Sequence, residues 1–272
     1  MNACSFPASS ALLKTTARIL LGAALMVAAC GAGLAFGQTL DAPPPEQTEV
    51  WEPVVKVVQA LADRPPSDAI PLFAGTAPDA WVSTRPDAEP WQVVDGTLVS
   101  VKGSGNIQTK QSFGDVQLHI EFRTPAVATG AGQGRGNRGI LFMGRYELQI
   151  LDSYDNPTYV NGQAASVYKQ HVPLVNASRP PGAWQYYDVV FVAPRFHPDG
   201  KLRLPGTLTV FHNGVVVQQD VELQGATTYR GLPRYTAHAE REPLVLQFHN
   251  NPVGFRNIWV RELKLPEQAP VN

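Results

Sequence analysis

The stretch "DVQLHIEFRTP", Asp115 to Pro125, alternates without a break. Val116, Leu118, Ile120 and Phe122 fall on one side, and Gln117, His119, Glu121 and Arg123 on the other. A period of two is the signature of a strand, here with one buried face and one wet face. The neighbouring sequence repeats the theme. Upstream, "WQVVDGTLVSVKG" sets two apolar runs around Asp95-Gly96, a hairpin signal. Downstream, "RGILFMGRYELQILDS" reads as a strand pair pivoting near Gly144-Arg145. "WQYYDVVFVAP", "GTLTVFHNGVVVQQDV" with a turn at Asn213-Gly214, "EPLVLQFHN" and "FRNIWVREL" continue the series. No helical periodicity of useful length and no internal repeat interrupt it. The expected fold class is all-β, an antiparallel two-sheet sandwich starting near residue 68.

The remainder of the chain is lead-in. Lys14 and Arg18 precede the apolar run "ILLGAALMVAAC", and no acidic residue occurs before Asp41, which is the pattern of an export signal. Residues 1–37 are therefore expected to be a cleaved signal ending at "AFG". The alternative is a lipoprotein signal ending at residue 29, which would leave Cys30 lipidated and attach the protein to a membrane. Residues 38–67 read as a proline-rich tether with a short helix in "VVKVVQALADRPP", and residues 68–266 as the domain. The expected location is exported, periplasmic or membrane-anchored. Both cysteines, Cys4 and Cys30, lie in the leader, so the domain has no disulfide, thiol nucleophile or cysteine metal site. A formal charge of −1 gives no electrostatic basis for binding nucleic acid.

Two gaps between strands are informative. "TPAVATGAGQGRGNRG" is rich in glycine but does not join a strand to a helix, so it is no phosphate cradle. "SYDNPTYVNGQAASVYKQHVPLVNASRPPG" spans about thirty residues without a pattern, and irregular segments of that length are usually functional. Alternation also sorts the polar groups. Arg145, Glu147 and Gln149 share one strand face, and Gln247 and His249 share another. If Arg256 sits on a neighbouring strand, all six converge as a set suited to a polyhydroxylated ligand. His119 is assigned to a wet face, and His197 and His212 to the surface beside turns. His171 is a further candidate beside Tyr168 and Lys169. Trp81, Trp91 and Trp259 are assigned to the core.

Taken together, "PLFAGTAPDAW", "GNIQTKQSFGDVQLHIEFRTP", "NRGILFMGRYELQILDSY", "PPGAWQYYDVVF" and "PLVLQFHNNPVGFRNIWVREL" resemble, in order, the 3-keto-disaccharide hydrolase family. Its members are also described as 3-keto-glucoside lyases and 2-hydroxyglucal hydratases. The resemblance implies a concanavalin A-like jelly-roll sandwich of two antiparallel sheets. It also implies cleavage of 3-keto-glycosides by removal of the C2 proton, elimination of the C1 substituent and hydration. An upstream sugar 3-dehydrogenase would supply the substrate. By this likeness Glu147, His249 and Asp152 are the catalytic candidates, with the choice of base left open. Arg145, Gln149, Tyr168, Lys169, Gln247 and Arg256 are the substrate-binding candidates. No cofactor is required, though Glu147, Asp152 and His249 leave room for a divalent cation. Asn137-Arg138-Gly139 departs from the family's Asn-Ser-Gly, and His249-Asn250 from its His-Gly. That puts an extra arginine at the expected site mouth, where it would bear on the leaving group. The alternatives are a lectin-type carbohydrate-binding module and a two-carboxylate glycoside hydrolase of the same fold.

Overall fold

The computed structural model describes residues 42–62 and 64–266, so the signal readings and Cys30 lie outside the described residues. The chain divides into two units, with a boundary after Val55. Described residues of the first unit carry a single 3-10 turn, Pro45–Gln47. The expected helix is absent, and the segment 54–61, which spans that boundary, is irregular. Its valines stay in solvent: Val54 and Val57 are more than three-quarters exposed. β-Branched residues favour extended backbone, and a helix this short with no packing partner is marginal. No helix among the described residues is long and apolar enough to cross a membrane.

The second unit is a β-sandwich. In chain order its strands are β1 (Ile70–Phe73), β2 (Trp81–Ser83), β3 (Gln92–Val94), β4 (Thr97–Val99) and β5 (Ile107–Phe113). Next come β6 (Val116–Arg123), β7 (Arg138–Phe142), β8 (Tyr146–Ile150), β9 (Gln185–Val192) and β10 (Arg195–Phe196). The last are β11 (Leu202–Leu204), β12 (Thr207–His212), β13 (Val215–Glu222), β14 (Glu242–Leu246) and β15 (Gly254–Glu262). One main sheet runs β13-β12-β9-β6-β15-β4-β3, with β1 also paired to β15, the other runs β2-β5-β14-β7-β8, and β10 with β11 forms a separate two-stranded ribbon. Every paired strand in both is antiparallel, as a concanavalin A-like jelly roll requires.

Three hairpins turn on pairs with both φ values positive: Asp95-Gly96, Met143-Gly144 and Asn213-Gly214. That geometry matches the twist of antiparallel strands. The alternation of β6 is realised as Val116, Leu118, Ile120 and Phe122 buried between the sheets. Phe142 of β7 stacks on Phe191 of β9 at 4.7 Å, joining the sheets through the core. Trp81 and Trp91 are in the core and donate to the Leu72 and Gly105 carbonyls, whereas Trp259 departs from its core assignment and is buried on the outer face against His119. His212 departs from its surface assignment. It is 1% exposed, lies edge-on to Tyr187 and bonds Gln185 Oε1 at 2.9 Å. Its place at the last residue of β12 keeps the core phase of Leu208 and Val210.

Candidate active site

Strand β8 is buried on both faces. Tyr146, Leu148 and Ile150 enter the core, so Glu147 and Gln149 point out of the smaller sheet. What they face is a cleft of about 730 Å³. Irregular chain builds its walls, and that chain also closes the edge of β8. Ser166 O accepts from Gln149 N, Gln149 O accepts from Ala165 N, and Glu147 O accepts from Tyr168 N. At the same edge, Thr227 Oγ1 accepts from Glu147 N at 3.0 Å. The patternless loop is therefore an added edge segment, and it carries Tyr168 and Lys169 to the cleft. Lys169 holds a left-handed φ of 60° there.

Glu147 is the sole carboxylate among the described residues lining the cleft. Its side chain is buried, and its carboxyl makes no hydrogen bond or ion pair among the described residues. Burial raises its pKa to about 7, because a charge removed from water without a partner is penalised. Room for it comes from Gly139 on β7, where a Cβ would stand 2.4 Å from Glu147 Oε1. Gln149 Nε2 donates to Asn137 Oδ1 at 3.2 Å and to Gln133 Oε1 at 3.3 Å. Gln149 Oε1 and Gln247 Oε1 are buried acceptors without a protein donor. Lys169 Nζ donates to Tyr229 O at 2.7 Å and lies 4.3 Å from the Tyr229 ring centre. The Tyr159 and Tyr168 rings are each 5.7 Å from that ammonium, and their hydroxyls are 2.7 Å apart. Burial, the bond to Tyr159 and the nearby Glu147 charge push the Tyr168 pKa upward, so it stays a neutral donor.

Of the residues singled out from sequence, Arg145, Glu147, Gln149, Tyr168, Lys169, Gln247 and His249 line this cleft. Arg145 does so with its guanidinium tied to Glu242, at 3.1 Å to each carboxylate oxygen. His249 stands exposed at the rim, where partial desolvation and the Arg138 charge behind it lower its pKa. Asp152 lies elsewhere. It is buried beneath the Arg135 guanidinium, accepting at 2.6 and 3.0 Å, and it pins one loop to the next. Asp152 stands five positions after Glu147, an odd offset, which puts the two on opposite sides of a strand path. Among the described residues no group of three His, Cys, Asp or Glu could hold a metal ion, so the cation reading loses its Asp152 ligand.

Arg256 is a second correction. It is on β15 in the larger sheet, whereas His249 follows β14 in the smaller one. Its side chain points outward, pairing with Glu121 at 2.6 Å and lying 4.0 Å from the Trp184 ring centre. His119 shares that outer face, bonded to Asp188 at 2.6 Å and stacked on Trp259. His171 bonds the Glu222 carbonyl and does not line the cleft. Arg138 is not at the mouth. It is fully buried, on the opposite side of β7 from Gly139, and donates to the His249 carbonyl and to Ser100 Oγ. Sequence reasoning missed Gln133, Asn137, Tyr159, Thr227 and Tyr229. The last two lie in the irregular run between β13 and β14, whose length was itself a signal.

A concanavalin A-like sandwich with a polar, single-carboxylate cleft outside its smaller sheet is the class that fold and site define. The 3-keto-alpha-glucoside-1,2-lyase-like domain model matches residues 68–261, and the chain belongs to that family. A solved structure from Parabacteroides distasonis ATCC 8503, provisionally described as a glycosyl hydrolase, is 47% identical with a TM-score of 0.78. The alignment covers 81% of this chain and 97% of that one. A second structure of the same organism and description is 20% identical with a TM-score of 0.52, over 71% and 93% of the two chains. At that identity the likeness speaks for the fold alone. No functionally curated protein matches the chain.

Proposed function

We propose that this domain cleaves 3-keto-glycosides by elimination. The observation that carries the reading is Glu147, a buried, unpartnered carboxyl opening on the cleft with a pKa near 7. A ketone at C3 acidifies the C2 proton, and a base poised near neutral pH is suited to remove it. In this reading the C2 proton passes to Glu147, the C1–C2 double bond forms and the C1–O bond breaks. The Lys169 ammonium and the neutral Tyr168 hydroxyl supply donors for the enolate oxygen. Water then adds across the double bond, hydroxyl to C1 and proton to C2, giving the 3-keto sugar. Two-carboxylate glycoside hydrolysis is less well supported, because it needs a second acid flanking the bond and Asp152 is turned away. A lectin would gain nothing from a buried carboxyl that costs folding energy.

The substrate's ketone must come from an oxidoreductase acting at C3. The basic-then-apolar leader supports an exported enzyme, either released or held by a lipidated Cys30. The test is incubation with a 3-keto-glucoside in heavy water, followed by NMR. Deuterium at C2 and release of the 3-keto sugar are expected. Binding without exchange would leave a lectin, and cleavage of the unoxidised glycoside would leave a glycosidase.

A further inference from the structure

A second cavity of about 460 Å³ adjoins the cleft, and His249 lines both. Its other walls are Ser100, Val101 and Lys102 after β4, and Phe248, Asn250 and Pro252 after β14. We propose that this cavity receives the leaving group of the glycoside, and that it is built for an oxygenated aromatic ring. The inference rests on reading the main cleft as the sugar site.

Position gives the first argument. With the sugar in the cleft and its substituent in the adjoining cavity, the scissile C1–O bond falls at the junction, beside His249. The walls give the second. Val101, Phe248 and Pro252 offer apolar surface for a ring, while Lys102, Asn250 and Asn251 form a polar rim for its substituents.

Rigidity gives the third. The buried Arg138 guanidinium donates to Ser100 Oγ and the His249 carbonyl and lies 5.5 Å from the Phe248 ring centre. One inflexible cation thus fixes three lining residues, and a preformed pocket binds without the ordering cost of a mobile one. Arg138 is here a positioning residue.

Chemistry gives the fourth argument. Elimination expels the C1 substituent as an oxyanion, and Glu147 is already engaged at C2. The imidazole at the junction is held toward its neutral form, so no strong acid stands ready for an alkoxide. A phenol-type oxygen, with an intrinsic pKa near that of tyrosine at about 10, leaves without one.

The test compares binding of phenyl and methyl glucosides, in both anomers, to the purified full chain by titration calorimetry. These unoxidised ligands are not eliminated, so the measurement does not depend on turnover. We expect the phenyl glucoside to bind the wild type about tenfold more tightly. The preference should vanish in Phe248→Ala and in Asn250→Trp, which fills the cavity from an exposed position. Circular dichroism melting identifies folded variants. Equal affinity in the wild type, no binding of either ligand, or a preference retained in either folded variant overturns the proposal. If the aryl preference holds while 3-keto-glucosides go uncleaved, the elimination reading falls and the leaving-group pocket stands.

Discussion

Glu147 and Gly139 act as one device. The carboxyl occupies space that any Cβ on β7 would take, and Gly139 has no left-handed φ, so alanine fits its backbone. We therefore expect Gly139→Ala to fold with little change in melting temperature. Displacing the carboxyl should cut turnover of a 3-keto-glucoside at least tenfold. Glu147→Gln should lower it about a hundredfold, the low end for a lost acid–base group. Its stability should shift in a defined direction. The folded pKa, about 7, lies above the usual value of 4.5, so the native state prefers the protonated carboxyl. That contribution is fully present below pH 4.5 and is lost as pH rises through 7. Glu147→Gln abolishes the penalty, so above pH 7 the variant should exceed the wild type by about 3 kcal/mol in urea unfolding. Coinciding profiles from pH 4 to 8 would mean that the carboxyl is solvated.

At the scale of elements the cleft is a property of β8 and the irregular chain that covers it. Thr227→Val would strip the acceptor from a buried Glu147 N–H. It should cost about 1–3 kcal/mol by urea unfolding and raise KM as the wall loosens. Strand periodicity made β8 readable, because Arg145, Glu147 and Gln149 share a face whatever the partners. It could not say which strands belong to which sheet, and that is where Arg256 went astray: its outward side belongs to the opposite face of the sandwich. Nor could it foresee the break in β15. Asn257, at a φ of 45°, sits in a register shift between Arg256 and Trp259, so a bulge interrupts the alternation there. Asp152 was drawn in by the family likeness, yet its odd spacing from Glu147 already placed it on the wrong side. The walls contributed by Tyr159, Thr227 and Tyr229 obey no period at all. Length is the sole signal of their loops, and it singled out that of Tyr159 alone.

Across the whole molecule the two sheets are coupled through side chains that also reach the site. Phe142 and Phe191 meet in the core, and Tyr187 of the larger sheet donates to the Gln149 carbonyl at 2.9 Å. Phe142→Ala should cost about 3–5 kcal/mol, read as a fall in the urea midpoint. The buried His212 gives the fold its acid limit. Desolvation, with the Arg179 charge, depresses its pKa to about 3. Its contribution is present above pH 6.5 and is lost as pH falls toward 3, opposite in sign to that of Glu147. In Glu147→Gln the opposing contribution is gone, so stability should climb steadily with pH between 4 and 6.5. The segment at residues 165–168 has a consequence beyond catalysis. Sheet edges left open recruit other chains, and here the strap that delivers Tyr168 also seals β8. A protease cut in that loop would therefore do two things together, withdrawing Tyr168 and Lys169 from the cleft and opening an edge on which another chain can pair.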